Sequence, residues 1–128
     1  MSDHRIVDPP ELPEPVGFAH AVAAAAGRTV YLGGQIGTGA SLVEQFESAA
    51  GRLLVALRAA GGEPNDLVSL VVYTTAIDEY RTSTRELGDV WRRHFGRRYP
   101  ALALVGVAAL FDPDARVELM GVAVVPDA

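Results

Sequence analysis

The stretch RRYPALALVGVAAL, residues 97–110, contains a turn followed by a predicted strand that is apolar on both of its faces. Two further predicted strands, at 67–77 and 115–125, also carry Val, Leu or Ala on both faces. In a sheet that meets water on one side, strands alternate between apolar and polar residues, and these strands do not. We therefore expect a second subunit to bury the sheet face that the helices leave uncovered.

Two helices are predicted from capping patterns and hydrophobic spacing. Ser41–Glu44 is a capping box and Gly61–Gly62 is a stop signal, and apolar residues recur at helical spacing between them. This pattern predicts a helix over residues 42–60. The capping pattern is repeated at Ser83–Glu86, and the helix that follows has one face predicted to be buried, formed by Leu87, Val90, Trp91 and His94.

The other regular segments are predicted to be strands, at residues 3–8, 18–25, 29–36, 67–77, 101–109 and 115–125. A glycine turn at Gly27 favours a hairpin between the second and third of these strands. The element order β-β-β-α-β-α-β-β predicts a single α+β domain over residues 1–128, with two helices on one face of a mixed sheet.

The composition excludes several kinds of chemistry. All eleven basic residues are arginine and there is no cysteine, so a Schiff-base lysine, a thiol nucleophile and a lysine-containing P-loop are ruled out. The net charge of -5 argues against nucleic acid as a partner, and the cluster Arg92–Arg98 is interpreted as cations at a helix C-terminus. Neither a membrane span of roughly 18 apolar residues nor a signal peptide is recognised, so we expect a cytoplasmic protein without a membrane partner.

No cofactor is expected. His4, His20 and His94 lie far apart in the sequence without the spacing of metal ligands, and cysteine ligands are absent. The run Gly33–Gly39 precedes a capped helix, a place where an anion could bind, but it does not fit the dinucleotide fingerprint. We interpret these residues as strand-end and turn glycines, of which Gly33 and Gly34 could line a cleft with bare backbone.

Four short motifs in the same order along the chain resemble the RidA/YjgF family, also known as the endoribonuclease L-PSP type. They are GFAHAV at 17–22, YLGGQIG at 31–37, YPAL at 99–102 and RVELMGVAVV at 116–125. The resemblance implies a chorismate-mutase-like fold packed as a homotrimer, with ligand clefts between subunits. It also implies hydrolysis of reactive 2-imino and enamine acids to 2-keto acids and ammonia.

The candidate substrate-binding positions depart from the family pattern. Leu102 stands where the resemblance implies an arginine that grips the substrate carboxylate, and leucine offers no donor. Phe18 replaces a tyrosine, Gly33 a serine and Gly88 a cleft asparagine, while Leu104 occupies a position that is often cysteine. Each change runs from a polar residue to an apolar or small one.

Glu118 is the candidate catalytic residue. By resemblance it is the glutamate that orients or activates the attacking water. The alternative is a structural carboxylate paired with an arginine, within the chain or across the trimer. Arg116 lies on the same strand face by its spacing and could be that partner or a solvated charge.

Three functions remain open. The first is a divergent trimer whose apolar intersubunit cleft binds or hydrolyses a small molecule other than the usual 2-imino acid. The second is a 2-iminobutanoate/2-iminopropanoate deaminase in which another arginine, such as Arg97 or Arg98, replaces the missing one. The third is a non-catalytic ligand-binding or regulatory trimer. A ribonuclease ranks last, because the chain is acidic and has no histidine–lysine pair for acid/base catalysis.

Overall fold

The computed structural model describes residues 3–127. Its strands are β1 (Arg5–Val7), β2 (Ala21–Ala23), β3 (Arg28–Gln35), β4 (Leu67–Thr74), β5 (Ala101–Gly106) and β6 (Val117–Val125). Its α-helices are α1 (Leu42–Ala59), α2 (Ile77–Thr82) and α3 (Thr84–Phe95), and a short 3₁₀ turn, Pro64–Asp66, precedes β4. Within the described range, no helix is both long and apolar enough to cross a membrane.

The main sheet is mixed and has the strand order β3-β6-β4-β5, while β1 and β2 form a separate antiparallel pair. β6 pairs antiparallel with β3 and with β4, whereas β4 and β5 are parallel and are connected through α2 and α3. A parallel pair needs such a crossover connection. α1 packs on β3 and β6 and against α3, so both long helices lie on one sheet face. The predicted α+β architecture is confirmed.

α1 forms where the local signals predict it. Ser41 accepts a hydrogen bond from the Glu44 N–H at 3.1 Å, which satisfies one of the free donors of the first turn. The helix ends in a Schellman arrangement, since Gly61 has φ +90° and the Gly62 N–H donates to the Leu57 carbonyl at 3.0 Å. Its core-facing side chains are almost fully buried: Leu42, Phe46, Ala49, Leu53 and Leu57.

The predicted hairpin of residues 18–25 and 29–36 is wrong. β2 pairs with β1, and β3 pairs with β6, which is nine residues long and offers a longer ladder than the three-residue β2. Gly27 serves close packing, because a Cβ there would lie 2.4 Å from the Val125 carbonyl oxygen. The glycine therefore lets the chain approach β6.

The predicted strand 67–77 ends at Thr74 and is followed by α2, a helix that the sequence did not predict. The Thr74 hydroxyl donates to the Arg116 carbonyl at 2.7 Å and accepts from the Ala76 N–H at 3.0 Å, which turns the chain out of the strand. Ser83 precedes α3, but its side chain makes no capping hydrogen bond. Phe95, not His94, completes the buried face of α3.

The sheet face opposite the helices presents apolar side chains to solvent in the isolated chain. Val72 and Leu119 are buried under the helices, so their neighbours along the strands, including Met120, point to the other side. On this open face Tyr31 is 81% exposed and Met120 41% exposed. This is the face for which the sequence predicts a partner subunit.

Candidate functional site

A pocket of about 600 Å³ lies between α3 and the edge strand β5, next to the loop that contains Phe18. Its volume is in the range of small-molecule sites, roughly 300–1,000 Å³, and most of its lining is apolar. It is therefore the candidate ligand pocket.

One wall of the pocket is a single face of α3. This face follows helical i, i+3, i+4, i+7, i+8 spacing and consists of Thr84, Leu87, Gly88, Trp91 and Arg92. Gly88 lies in the middle of the wall, and the pocket reaches the helix backbone there because glycine has no side chain. A Cβ at this position would first meet the guanidinium nitrogens of Arg92, at 3.6 and 3.8 Å.

The opposite wall is the helix-side face of the sheet edge. Leu102 and Leu104 of β5 pair in parallel register with Leu70 and Val72 of β4, which sets all four on one face. Leu102, Leu104 and Val72 line the pocket. No N–H or O–H donor comes from these side chains.

The loop before β2 forms the rim. The Ala19 N–H donates to the Pro100 carbonyl at 3.0 Å, which fixes the loop at the start of β5. The Phe18 ring packs edge-on against His20 at 5.0 Å, and His20 Nε2 hydrogen-bonds to the Pro13 carbonyl oxygen at 2.7 Å. Four residues predicted to bind substrate therefore meet in one pocket: Phe18, Gly88, Leu102 and Leu104.

The pocket also contains aromatic residues that were not among the predicted substrate-binding residues. Trp91 stacks on Tyr99 with ring centroids 4.9 Å apart, and Phe46 contacts Tyr80 edge-on at 6.4 Å. Burial raises the pKa of Tyr80 to about 12, with a smaller contribution from the nearby Tyr99 phenol. The Tyr80 hydroxyl is therefore protonated at neutral pH and can donate a hydrogen bond.

Two arginines line the pocket, and neither is one of the predicted substitutes. Arg81 pairs with Asp78 at 3.3 Å and Arg92 pairs with Asp89, each one helical turn away. Arg97 is not part of the lining, and Arg98 donates to the carbonyl of His4 at 2.8 Å. The substitutes proposed from the sequence therefore lie elsewhere, in a separate groove at the C-terminal end of α3.

Glu118 lies on the other side of the sheet from this pocket. It pairs with Tyr73 on β4, while the neighbouring pair Leu119 and Val72 faces the helices. The Glu118 side chain passes over Gly34, where a Cβ would lie 2.1 Å from Oε2. Gly34 belongs with Gly33 to the irregular segment of the β3–β6 ladder, so Glu118 and the two glycines form a second cluster on the open face.

Arg116 is not the partner of Glu118. Its Nη1 donates to both carboxylate oxygens of Glu79, at 3.0 and 3.3 Å, and Glu79 also accepts from the Leu42 N–H at 3.1 Å. Arg116 thus ties the start of β6 to α2 and α1. Within residues 3–127 the Glu118 carboxylate forms no salt bridge, so the ion-pair alternative does not hold inside one chain.

The three histidines have separate structural contacts. His4 is buried and lies 2.7 Å from the Val124 carbonyl oxygen through Nε2, while its Nδ1 accepts from the Ala25 N–H. His94 and Arg93 both contact Glu47, which links α3 to α1. These hydrogen bonds lower the pKa of Glu47 below its usual value. Among the described residues no group of three or more His, Cys, Asp or Glu is arranged to hold a metal ion.

The family model of Endoribonuclease L-PSP matches residues 12–125, which is most of the chain. The chain belongs to the RidA/YjgF family. It is 29% identical to a 2-iminobutanoate/2-iminopropanoate deaminase of Dermatophagoides farinae over 133 aligned positions, which cover 98% of this chain and 99% of the relative.

Solved RidA/YjgF structures share the fold. A Rid family protein of unknown function from Yersinia pestis superimposes with a TM-score of 0.84 at 26% identity, covering 96% of this chain and 99% of that one. A YjgF/YER057c/UK114 family member from Mycobacterium tuberculosis gives a TM-score of 0.68 at 31% identity, with 96% and 100% covered. These similarities confirm the family and the fold inferred from the four motifs.

Proposed function

We propose that the protein is a RidA-type homotrimer that hydrolyses a small imine or enamine in an apolar cleft between subunits, and that its ligand is not the usual 2-imino acid. The observation that carries this proposal is Leu102 in the pocket wall, where the family resemblance implies a carboxylate-binding arginine. A carboxylate at that place would be desolvated without a donor. The ligand therefore lacks a carboxylate or carries it elsewhere.

The trimer is supported by the separation of the pocket from Glu118. The sheet lies between them, so Glu118 can act on a bound ligand only if the pocket belongs to a neighbouring subunit. A neighbour docked on the open face would also cover Tyr31 and Met120, the most exposed large apolar residues there.

The chemistry requires one carboxylate and a water molecule. As the water oxygen attacks the imine carbon, the Glu118 carboxylate takes a proton from it, and the C=N bond becomes a C–N single bond. That proton passes to the nitrogen and gives a carbinolamine. The carboxylate then moves the hydroxyl proton to the nitrogen as well, so the C–N bond breaks, ammonia leaves and the C=O bond forms. The sum is imine plus water to carbonyl compound plus ammonia, so no further reactant is needed.

A 2-imino acid deaminase with a substitute arginine is the second candidate. It is favoured by Arg81 and Arg92, which line the pocket, and by the deaminase relative at 29% identity. In this case the chemistry at Glu118 would be unchanged.

Ammonia and keto-acid release from 2-iminobutanoate generated in situ tests the proposal. We expect little activity in the wild type, a gain in Leu102→Arg because the guanidinium restores a bidentate partner, and none in Leu102→Arg combined with Glu118→Gln. Full wild-type activity that Glu118→Gln abolishes would favour the second candidate. Activity in no variant, with the trimer intact, would favour a ligand-binding trimer without catalysis.

A further inference from the structure

We propose that Arg92 binds the carboxylate of the ligand, and that the ligand is an aromatic acid whose ring occupies the apolar part of the pocket. The inference rests on the proposed function, because it names the class of molecule that the same cleft takes. It places the carboxylate at α3, on the opposite wall from Leu102.

The position of Arg92 depends on Gly88. Side chains on a helix lean toward its N-terminus, so Arg92 reaches back over the preceding turn, where Gly88 lies. Its two terminal nitrogens are 3.6 and 3.8 Å from the place of a Gly88 Cβ. A longer side chain at residue 88 would stand between the guanidinium and the pocket, so the glycine exposes the cation to the ligand.

The pocket lining offers cationic donors, each of which also pairs with an aspartate one helical turn away. The described lining includes two arginines, Arg81 and Arg92, and no Asp or Glu, although the chain as a whole has a net charge of -5. Asp89 engages Nη2 of Arg92, and a guanidinium has five N–H donors, so donors remain for a carboxylate.

The rest of the lining favours a ring. Phe18 and Tyr99 are partly exposed and contribute aromatic surface, and Leu102 and Leu104 close the opposite side. Phe46 and Trp91 are 2% and 3% exposed and lie beneath this surface. Aromatic side chains and flat ligands attract each other through stacked or edge-on contacts. An acid of three or four carbons would leave most of a space of about 600 Å³ unfilled.

The test compares ligands of one shape and different charge. Binding of 3-phenylpropionate, 3-phenylpropionamide and butanoate is measured by titration calorimetry against the intact oligomer. We expect the wild type to bind 3-phenylpropionate about tenfold more tightly than the amide, since a charge-assisted pair to a half-exposed arginine is worth on the order of one decade. Butanoate should bind at least tenfold more weakly than 3-phenylpropionate because it has no ring.

Arg92→Gln keeps much of the side-chain stem and removes the charge. It should bring the acid down to the affinity of the amide while leaving the amide unchanged. Arg85→Gln removes the same charge from α3 outside the pocket lining and should retain the tenfold preference. Arg92→Lys should retain part of it, because lysine keeps the charge without the bidentate geometry.

Equal wild-type affinity for acid and amide, a preference that survives Arg92→Gln, or butanoate binding as tightly as 3-phenylpropionate would overturn the inference. None of these results affects the proposed function, which fails on different grounds, namely absence of a trimer or hydrolysis that does not depend on Glu118. The two failures are therefore distinguishable.

Discussion

Replacing Gly34 by alanine should misplace the Glu118 carboxylate without unfolding the protein. The new Cβ would lie 2.1 Å from Oε2 and 2.9 Å from the carboxyl carbon, far inside van der Waals contact. The clash involves the end of a flexible side chain, so the carboxylate moves by about 1 Å and the backbone stays in place. Gly34 does not have a positive φ, so alanine brings no backbone strain.

The expected effect is on rate. A misplacement of about 1 Å at a reacting group costs on the order of 10²-fold in kcat, whereas the free energy of unfolding should change by less than about 1 kcal/mol. The assay is ammonia release from the imine that the wild type hydrolyses fastest, together with urea unfolding and the oligomer size of each variant.

Gly51→Ala is the control, because Gly51 lies in α1, on the opposite side of the sheet from Glu118, and a Cβ there meets no atom within 4 Å. It should retain at least half of the wild-type kcat. The reasoning is refuted if Gly34→Ala is as active as Gly51→Ala, since Glu118 would then not need the position that the structure gives it. It is also refuted if both variants lose activity equally.

Three further predictions concern pH, assembly and stability. Because folding raises the pKa of Tyr80 to about 12, the free energy of unfolding should fall as the pH rises above about 10, by about 2 kcal/mol at pH 12. Tyr80→Phe should remove this loss, as measured by urea unfolding at alkaline pH. Met120→Glu should dissociate the proposed trimer in light scattering, because it places a charge on the open face, whereas Val55→Glu on the exposed side of α1 should not. A Met120→Glu variant that remains trimeric would contradict the proposed assembly. Gly61→Ala should lower the free energy of unfolding by about 1 kcal/mol, because Gly61 has φ +90°. Gly51→Ala, within α1, should raise it slightly. Equal effects of the two substitutions would contradict the helix-end geometry.

Local signals predicted the elements whose boundaries depend on neighbouring residues. The capping serine and the terminal glycine pair set the limits of α1 within a few residues, so its prediction was confirmed. The hairpin failed because strand pairing is decided by distant residues: β3 finds its partner in β6, almost ninety positions later in the chain. α2 was missed because the Thr74 hydroxyl, not a glycine or proline, ends the preceding strand.

The sequence predicted some of the residues of the pocket. The structure brings together four residues that were predicted from the family resemblance: Phe18, Gly88, Leu102 and Leu104. Arg92 was read as a cation at a helix end, although its spacing of four from Gly88 and eight from Thr84 was a usable signal once the helix limits were known. The sequence could not show that Glu118 and the pocket lie on opposite faces of the sheet, because this depends on the register of β6 on β4.

The most direct test of the account is activity in mixed trimers of two inactive variants. Glu118→Gln removes the carboxylate proposed to activate water, and Gly88→Leu fills the pocket, so each alone should be inactive. If each cleft combines the pocket of one subunit with Glu118 of the next, a refolded equal mixture should recover roughly a quarter of wild-type activity, because one cleft in four receives both native halves. No recovery from trimers shown to contain both variants would contradict the account.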